Sequence, residues 1–305
     1  MAESTSTQAA NPPVAGTAAP VLPSVRKVRR NDTLRRLAKN ELAVAGGIIL
    51  ALVMLAAIFA PYLSPEDPLE MNPTLLLQPP SAAYLLGTDE FGRDILSRVI
   101  WGARISLYVG AISVTIAVLV GVTLGLIAGY FGGLIDDLIA RVLDVVFAFP
   151  TILLALGIVG MLGPSLTNTM IAIGIVYTPV YARLARATTL AVKERDFVDA
   201  AIVCGANSFR IILRHILPNV AAPLIIQTSL SLSLAILAEA SLSFLGLGTQ
   251  PPDPSWGTMV NTGQRLIELS PWPVVFPGLA IVLAVLAFNL IGDGLRDALD
   301  PRMRS

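Results

Sequence analysis

The chain has 305 residues, of which 54% are hydrophobic and 14% are charged, and its mean hydropathy is +0.73. In soluble domains about a quarter of the residues are charged, so this composition excludes an ordinary soluble protein and indicates a polytopic membrane protein. The net charge of zero gives no electrostatic support to a nucleic-acid partner, and a single cysteine and a single histidine exclude a disulfide framework, a multi-cysteine metal site and a histidine-based catalytic cluster.

A polar tail precedes the first apolar stretch. Residues 1–24 are rich in Ala, Ser, Thr, Pro and Gln and carry almost no charge, so we expect the first part of the tail to be disordered. The first apolar run begins after residue 40 and is too long for the hydrophobic region of a signal peptide. We therefore expect no cleavable signal and interpret this first span as a signal anchor.

Six apolar stretches follow, each near the ~20 residues that a helix needs to cross a hydrocarbon core about 30 Å thick. A helix also satisfies its own backbone hydrogen bonds in lipid. The sequence therefore predicts an all-α membrane protein with six transmembrane helices. The predicted spans are Leu42–Tyr62, Ile105–Tyr130, Val142–Leu162, Leu166–Arg183, Ala221–Leu247 and Trp272–Ile291.

Lysine and arginine residues in the flanks set the predicted orientation. They concentrate in the amino-terminal tail, between the fourth and fifth spans, and after the last span, so we expect both termini to be cytoplasmic. The opposite side holds Arg93, Arg98, Arg104 and Arg265. The resulting division is a cytoplasmic tail (1–40), a first transmembrane helix (41–62), an external loop with an interfacial helix (63–104), a core of five transmembrane helices (105–292) with a polar loop (190–219), and a cytoplasmic tail (293–305).

The end of the external loop carries helix-starting signals. Thr88 is a suitable N-cap residue, with Asp89 and Glu90 in the first turn. Asp94 and Arg98 stand four apart, as two residues on one helix face do. We predict an interfacial helix that leads into the second span; the alternative is a contact surface for an external partner.

The second span carries Gly121, Gly125 and Gly129 at four-residue spacing. Small residues at this spacing allow helices to approach closely in lipid, where no hydrophobic force drives them together. We predict that they pack within this chain; a seam with a second subunit is the alternative.

Residues 132–144 predict an amphipathic helix on the inner membrane surface. Leu134, Leu138, Val142 and Val145 recur near the helical period, and the acidic residues lie on another face. This helix either braces the polar loop that follows or exposes its charges to solvent.

The segment Lys193–Asn219 is polar although long apolar stretches flank it on both sides. A helix is predicted from Asp196, a break at Gly205, and a second helix that Ser208 caps and Pro218 stops. We interpret this helix–turn–helix as a docking element for a soluble partner; the alternative is a solvated link. The single cysteine and histidine, Cys204 and His215, are interpreted as packing residues.

One carboxylate, Glu239, lies within the fifth span. A charged carboxylate at the centre of a membrane helix costs about 2.5–3.5 kcal/mol, so it requires a polar partner or a cavity. Glu239, with Ser233 as further polar lining, either lines a substrate pathway or makes a structural hydrogen bond to Ser241, Ser243 or another helix.

The order Asp199-Ala200-Ala201, Gly205 and Leu217-Pro218 resembles the cytoplasmic Glu-Ala-Ala loop of ABC-importer permeases, with aspartate in place of glutamate and His215 in place of isoleucine. Residues 87–98, which read Gly-Thr-Asp-x-x-Gly-Arg-Asp-x-x-Ser-Arg, are similar to the C-type permeases of dipeptide and oligopeptide importers. Three further segments, 238–248, 250–257 and 289–301, add to this resemblance.

The resemblance implies a type I ABC-importer permease that forms half of the pathway for di- or oligopeptides across the bacterial inner membrane. It implies a sister permease, two ATP-binding subunits that carry ATP and Mg²⁺, a periplasmic or lipid-anchored solute-binding protein, and surrounding lipids. The polar loop would then be the coupling helix that docks on the ATPase. The coupling residues that it implies are Asp199, Ala200, Ala201, Gly205, Arg210, Arg214, Leu217 and Pro218.

The family further implies that the external loop with Asp253 and Trp256 contacts the binding protein. The sequence contains no Gly-x-x-x-x-Gly-Lys-Ser/Thr phosphate loop, so we expect no enzyme activity, cofactor or metal in this chain. The alternative is a secondary transporter driven by an ion gradient, which predicts several intramembrane acids and related halves with broken helices. Permeases with the same motifs carry glutathione, nickel complexes or opines, so the cargo stays open.

Overall fold

The computed structural model of this chain describes residues 37–299, so the predicted disordered tail and residues 300–305 of the predicted carboxyl-terminal cytoplasmic tail lie outside the described residues. Within residues 37–299 the chain is helical and forms no strand, with one isolated bridge between Thr88 and Asp94. The elements are α1 (Glu41–Ile58), α2 (Ala60–Leu63), α3 (Ile95–Phe131), α4 (Gly133–Phe147), α5 (Thr151–Leu162), α6 (Leu166–Lys193), α7 (Asp196–Val203), α8 (Ser208–Ile211), a π turn (Ile212–Ile216), α9 (Leu217–Phe244), α10 (Trp256–Gln264) and α11 (Trp272–Leu299).

Four of the described helical stretches are long and apolar enough to cross a membrane: α1, α3, the run from α8 through α9, and α11. The bent pair of α4 and α5 adds a fifth if it counts as one span. Helix α6 contains the predicted span Leu166–Arg183 and is long enough to cross a membrane. Its polar residues make its mean hydropathy lower than that of the four apolar stretches. The described residues therefore form an all-helical chain with four or five apolar spans.

The predicted third span, Val142–Leu162, is not one straight helix. Helices α4 and α5 meet at an angle of 90°. The break falls where Pro150 precedes α5, because a proline disfavours helical geometry in the residue before it. Helix α5 has 12 residues, so it is about 18 Å long and shorter than a hydrocarbon core.

The most extensive helix contact among the described residues is between α3 and α6, and the glycines of α3 allow the two helices to approach closely. A Cβ atom on Gly121 would lie 2.5 Å from the carbonyl oxygen of Thr178, and one on Gly129 would lie 2.8 Å from the Cβ of Thr189. Gly125 is just as close to the backbone of Ala182. The prediction that these small residues pack within the chain is confirmed.

The main core lies between α3, α5, α6 and α9, where Val109, Val159, Ile173 and Tyr181 are fully buried. Helix α11 packs against α1, α9 and α10 on the other side of the bundle. The first helix is the least buried of the apolar spans, and its outer face exposes large aliphatic side chains, a pattern typical of contact with lipid. These exposed residues include Leu42, Ile48, Leu52, Leu55 and Ile58.

The outer loop, which we define as residues 64–94, contains no helix, so the predicted interfacial helix is absent from it. Helix α3 begins at Ile95, and its N-cap is Asp94, whose Oδ2 accepts a hydrogen bond of 2.8 Å from the backbone of Ser97. Thr88 is therefore not the cap. Its hydroxyl is buried within the loop, where it accepts a hydrogen bond of 2.8 Å from the backbone of Gln78.

Buried charges hold the outer loop to the start of α3. The carboxylate of Asp89 pairs with Arg93 at 2.7 Å and with Arg98 at 3.4 Å, and all three side chains are buried. Arg98 also donates a hydrogen bond of 2.9 Å to the carbonyl of Pro68. The predicted partner of Arg98 on the helix face, Asp94, is occupied by its capping role instead.

Candidate functional site

The polar segment between α6 and α9 has the predicted helix–turn–helix shape, in which Gly205 separates α7 from α8. Gly205 adopts a φ of +79°, a left-handed conformation that favours glycine, and it closes α7 after the C-cap residue Cys204. The cap of the second helix is Asn207 rather than Ser208. Its side-chain oxygen accepts a hydrogen bond of 2.9 Å from the backbone of Arg210.

Pro218 does not stop the second helix, contrary to the prediction. The chain runs from α8 through the π turn into α9, with Pro218 in the first turn of α9. A π turn widens the hydrogen-bond register directly before the proline, which has no N–H group to donate. The side chain of Asn219 donates a hydrogen bond of 2.6 Å to the carbonyl of His215 in the same turn.

One side of the polar segment is anchored in the protein interior. Val198 of α7, Ile211 of α8 and Ile216 of the π turn are at most 1% exposed and belong to the main core. Ala201 lies on the same side and is 9% exposed. Ala201 stands three residues after Val198 and shares its buried face, so its side chain lies away from the exposed side of the segment, and its part in coupling stays a prediction.

The other side of the segment exposes apolar residues. Val203 is 87% exposed and Phe209 is 71% exposed, although both lie in a charged segment. Phe197, Ile202 and Leu213 are exposed beside them. An exposed apolar patch rimmed by polar residues marks a protein interaction site, and we call these five residues the inner apolar patch.

Most of the predicted coupling residues surround the inner apolar patch. Asp199, Ala200, Gly205, Arg210, Arg214 and Pro218 are exposed, and Leu217 is half-buried. Sequence analysis missed the role of Ile202, Phe209 and Leu213, although aliphatic and aromatic residues in a charged loop were the signal. Cys204 is exposed, so its interpretation as a packing residue is wrong; His215 is half-buried.

Ion pairs fasten the amphipathic helix α4 to α6, just before the polar segment. Arg186 binds both carboxylate oxygens of Asp136, through Nη2 at 2.6 Å and through Nε. Arg183 pairs with Asp144 at 2.6 Å. At the end of α6, Lys193 donates a hydrogen bond of 2.6 Å to the carbonyl of Tyr130 at the end of α3. Helix α4 therefore braces the helix that carries the polar segment.

Glu239 is completely buried and hydrogen-bonded on both of its oxygens. Ser106 of α3 donates to Oε2 at 2.9 Å, and Ser243 donates to Oε1 at 2.7 Å. The Ser243 hydroxyl in turn accepts a hydrogen bond from the backbone of Thr249. Of the predicted partners, Ser241 bonds to its own helix instead. Glu239 thus links α3 to the outer end of α9.

The second predicted pathway residue, Ser233, is 1% exposed and donates a hydrogen bond of 2.9 Å to the side-chain oxygen of Asn289 in α11. In this conformation neither Ser233 nor Glu239 lines an open pathway, because both side chains are enclosed by packed helices and pair with them.

The two residues predicted to contact an external binding protein are in different environments. Asp253 is exposed in the loop between α9 and α10. Trp256 is 1% exposed, and its indole donates a hydrogen bond of 2.9 Å to the carbonyl of Val99 while its ring packs on Gly102. In this conformation the ring is enclosed and anchors α10 to α3, and the contact of this loop with a binding protein stays a prediction.

Two family models match this sequence. Residues 121–305 match the family described as binding-protein-dependent transport system inner membrane component. Residues 30–80 match the N-terminal transmembrane domain of oligopeptide transport permease C. Together the two models reach from the amino-terminal tail through the first span and from the second span to the end of the chain.

Curated relatives match over most of their length. A dipeptide transport system permease protein of Alkalihalophilus pseudofirmus is 52% identical over 274 residues, which is 90% of this chain and 90% of the relative. A di/tripeptide transport system permease protein of Pseudomonas aeruginosa is 49% identical over 88% of this chain and 90% of the relative. A dipeptide transport system permease protein of Escherichia coli is 50% identical over 87% of this chain and 91% of the relative.

The fold resembles a solved transporter structure. An inward-facing structure of the MetNI methionine ABC transporter superimposes with a TM-score of 0.55 over 68% of this chain and 98% of the matched chain. The sequence identity is 16%, so this likeness concerns the fold alone.

Proposed function

Because this chain belongs to the family of binding-protein-dependent transport system inner membrane components, we propose that it is the permease subunit of an ATP-driven importer for di- and oligopeptides. The relatives named for dipeptide and di/tripeptide transport support this cargo, since about half of their residues are identical to those of this chain. The likeness to a solved ABC transporter structure supports the type I importer permease fold that we propose.

The membrane arrangement that we propose has six spans in the bacterial inner membrane. Helix α6 and the bent pair of α4 and α5 add to the four long apolar stretches. Helix α6 needs little apolarity of its own, because much of its surface packs against other helices and the glycines of α3 bring it into the core. The distribution of lysine and arginine supports cytoplasmic termini and a cytoplasmic polar segment. We keep the division into tails, external loop and permease core that the sequence suggested, with two changes: α3 already begins at Ile95, and α11 continues to Leu299.

Partner subunits complete the transporter in this proposal. A sister permease supplies the other half of the pathway, two ATP-binding subunits carry ATP and Mg²⁺, and an external solute-binding protein delivers the cargo and contacts the exposed Asp253. The buried, hydrogen-bonded state of Glu239 argues against the alternative of an ion-driven transporter, because a coupling carboxylate needs access to its ion.

The inner apolar patch is the observation that supports coupling to an ATPase. Its residues are exposed, yet Val198 and Ile211 on the opposite side are locked in the core. A partner that binds Val203 and Phe209 and then moves therefore displaces the helix bundle together with the segment, because the segment is not a free loop. The ion pairs of α4 with α6 stiffen this connection, so a displacement of the polar segment is passed to the bend before α5.

Substitution at Gly205 tests this proposal. Gly205→Arg places a bulky side chain at a left-handed position in the turn beside the patch, so we expect the ATP-binding subunits to be lost from the purified complex, together with ATP-driven dipeptide uptake in proteoliposomes. Gly205→Asn is the matched control, because asparagine tolerates a positive φ, and it should retain both. ATPase subunits that remain bound to the Gly205→Arg variant would contradict the docking site. Uptake by this chain without any ATP-binding subunit would support the ion-driven alternative.

A further inference from the structure

A mixed polar and aromatic cavity of about 930 Å³ opens on the external side of the bundle. It lies between the first part of the outer loop, the start of α3, the amino end of α6 and the loop before α10. Its volume falls within the ~300–1,000 Å³ that is typical of small-molecule sites. Its lining includes Glu66, Asp67, Trp101, Arg104, Tyr108 and Asp253.

The charged groups of this cavity differ from the buried, ion-paired charges of the outer loop nearby. One of them has a protein partner, since Oδ1 of Asp67 accepts a hydrogen bond of 2.8 Å from the backbone of Leu69. Within residues 37–299, neither Arg104 nor any of the three acids forms an ion pair. Three carboxylates and one guanidinium leave the lining with an excess of negative charge. A ligand with a cationic group and a separate anionic group matches this set, and the excess favours its cationic end.

Trp101 adds an aromatic wall to this charged lining. The Arg104 guanidinium lies 5.7 Å from the centre of its ring, so the guanidinium and the ring stand side by side in the lining. The indole Nε1 is enclosed by protein atoms, so Trp101 offers the cavity its ring and not its N–H.

We propose that this cavity is a transient binding site for a short zwitterionic peptide between its release by the binding protein and its entry into the membrane pathway. The inference rests on the proposed function. Glu66, Asp67 and Asp253 provide acceptors for the α-ammonium group, Arg104 provides the donor for the α-carboxylate, and Trp101 provides an apolar surface. Peptide termini are shared by every short peptide, so such a site accepts cargo regardless of its side chains.

The test uses the complete membrane complex with its sister permease and ATP-binding subunits in nanodiscs, without binding protein. Dialanine, N-acetyl-dialanine and dialanine amide are titrated, and binding is followed by calorimetry. We expect dialanine to bind in about the millimolar range, and Arg104→Gln to weaken it about tenfold without further weakening the amide, because the amide lacks the carboxylate that Arg104 recognises. Asp253→Asn should show the reverse selectivity, with a loss for dialanine and no further loss for the acetylated peptide. Arg104→Lys keeps the charge and should recover most of the dialanine affinity.

Matched controls are Glu70→Gln and Arg265→Gln, which remove the same charges from exposed positions outside the cavity lining. The inference is overturned if the controls weaken dialanine as much as the cavity variants do, or if no variant separates the free peptide from its capped forms. It is also overturned if Arg104→Gln leaves peptide binding intact but raises the concentration of binding protein needed to stimulate ATP hydrolysis, since the cavity is then a docking surface for that protein.

Uptake of dialanine by the complete wild-type importer in proteoliposomes is measured first. Absence of uptake overturns the proposed function and this inference with it. Uptake without detectable binding at the cavity overturns only the cavity site.

Discussion

The outer loop and the inner polar segment are both long charged connections, but they use their charges in opposite ways. In the outer loop, the buried carboxylate of Asp89 pairs with Arg93 of the loop and with Arg98 of α3, and both arginines are buried. In the inner polar segment, Asp199 and Arg210 are exposed and belong to none of the ion pairs found in residues 37–299.

A segment that is rich in helix is not necessarily the one that is held most firmly to the helix bundle. The outer loop has no helix, yet the ion pair of Asp89 with Arg98 and the hydrogen bond from Arg98 to the carbonyl of Pro68 fasten it to α3. Within the loop, the backbone of Gln78 donates a hydrogen bond to the hydroxyl of Thr88. The inner segment is mostly helical, yet it is held by a few apolar anchors and keeps one face free. The first arrangement is suited to a surface that keeps its shape. The second is suited to a segment that another protein binds and moves.

The largest effect is expected at the buried carboxylate of the outer loop. Asp89→Ala leaves Arg93 and Arg98 without their carboxylate in a buried site, and removing one partner of a buried pair costs about 3–5 kcal/mol. Unfolding of the purified complex in mixed micelles measures this loss. The control Glu70→Gln changes an exposed acid of the same loop and should alter stability by less than about 0.5 kcal/mol. If the two variants lowered the stability equally, the buried ion pairs of Asp89 would not be what holds the outer loop in place.

Two valines of α7 sharpen the contrast within the inner segment. Val198→Ala removes buried methyl groups from the core and should destabilise the permease by about 1–3 kcal/mol. Val203→Ala, at an 87% exposed position, should change stability by less than about 0.5 kcal/mol but weaken the ATPase association in a pull-down titration. If Val203→Ala binds the ATPase normally, the inner apolar patch is not the docking surface.

The brace between α4 and α6 should have a smaller effect on stability. Asp136 is only 13% exposed and receives two hydrogen bonds from Arg186, so Arg186→Gln should cost about 1 kcal/mol. Arg183 and Asp144 are both more than half exposed, so Arg183→Gln should cost less than about 0.5 kcal/mol. Uptake measured beside unfolding tests the mechanical role: Arg186→Gln should slow uptake more than Arg183→Gln. The reverse order would contradict the brace.

The smallest effect is expected at Glu239. Glu239→Gln keeps groups that can hydrogen-bond to Ser106 and Ser243, so uptake and its dependence on pH should stay unchanged. Ser106→Ala, which removes one donor to the carboxylate, is the informative companion and should lower stability by about 1 kcal/mol. A shifted pH profile in Glu239→Gln would restore the pathway interpretation.

Local pattern predicted much of the fold. The apolar stretches became long helices, the spaced glycines of α3 became a helix contact, and Gly205 became the turn of the polar segment. The bend before α5 was missed although Pro150 marked it, because the apolar run continues across the proline. The early end of the predicted helix at Pro218 was wrong because a π turn allows a proline that an α-helix interior does not.

The sequence by itself determined the class of the protein, its all-helical character and the polar segment, because these depend on composition and on spacing between near neighbours. Only the tertiary structure decided which polar and charged side chains are buried and bonded and which are exposed. Asp89 binds Arg98, Glu239 binds Ser106, and Trp256 is buried on Gly102, and each of these contacts joins separate parts of the fold. The same residue types stand exposed elsewhere in the chain, so burial and pairing follow from the packing of distant segments rather than from the residues themselves.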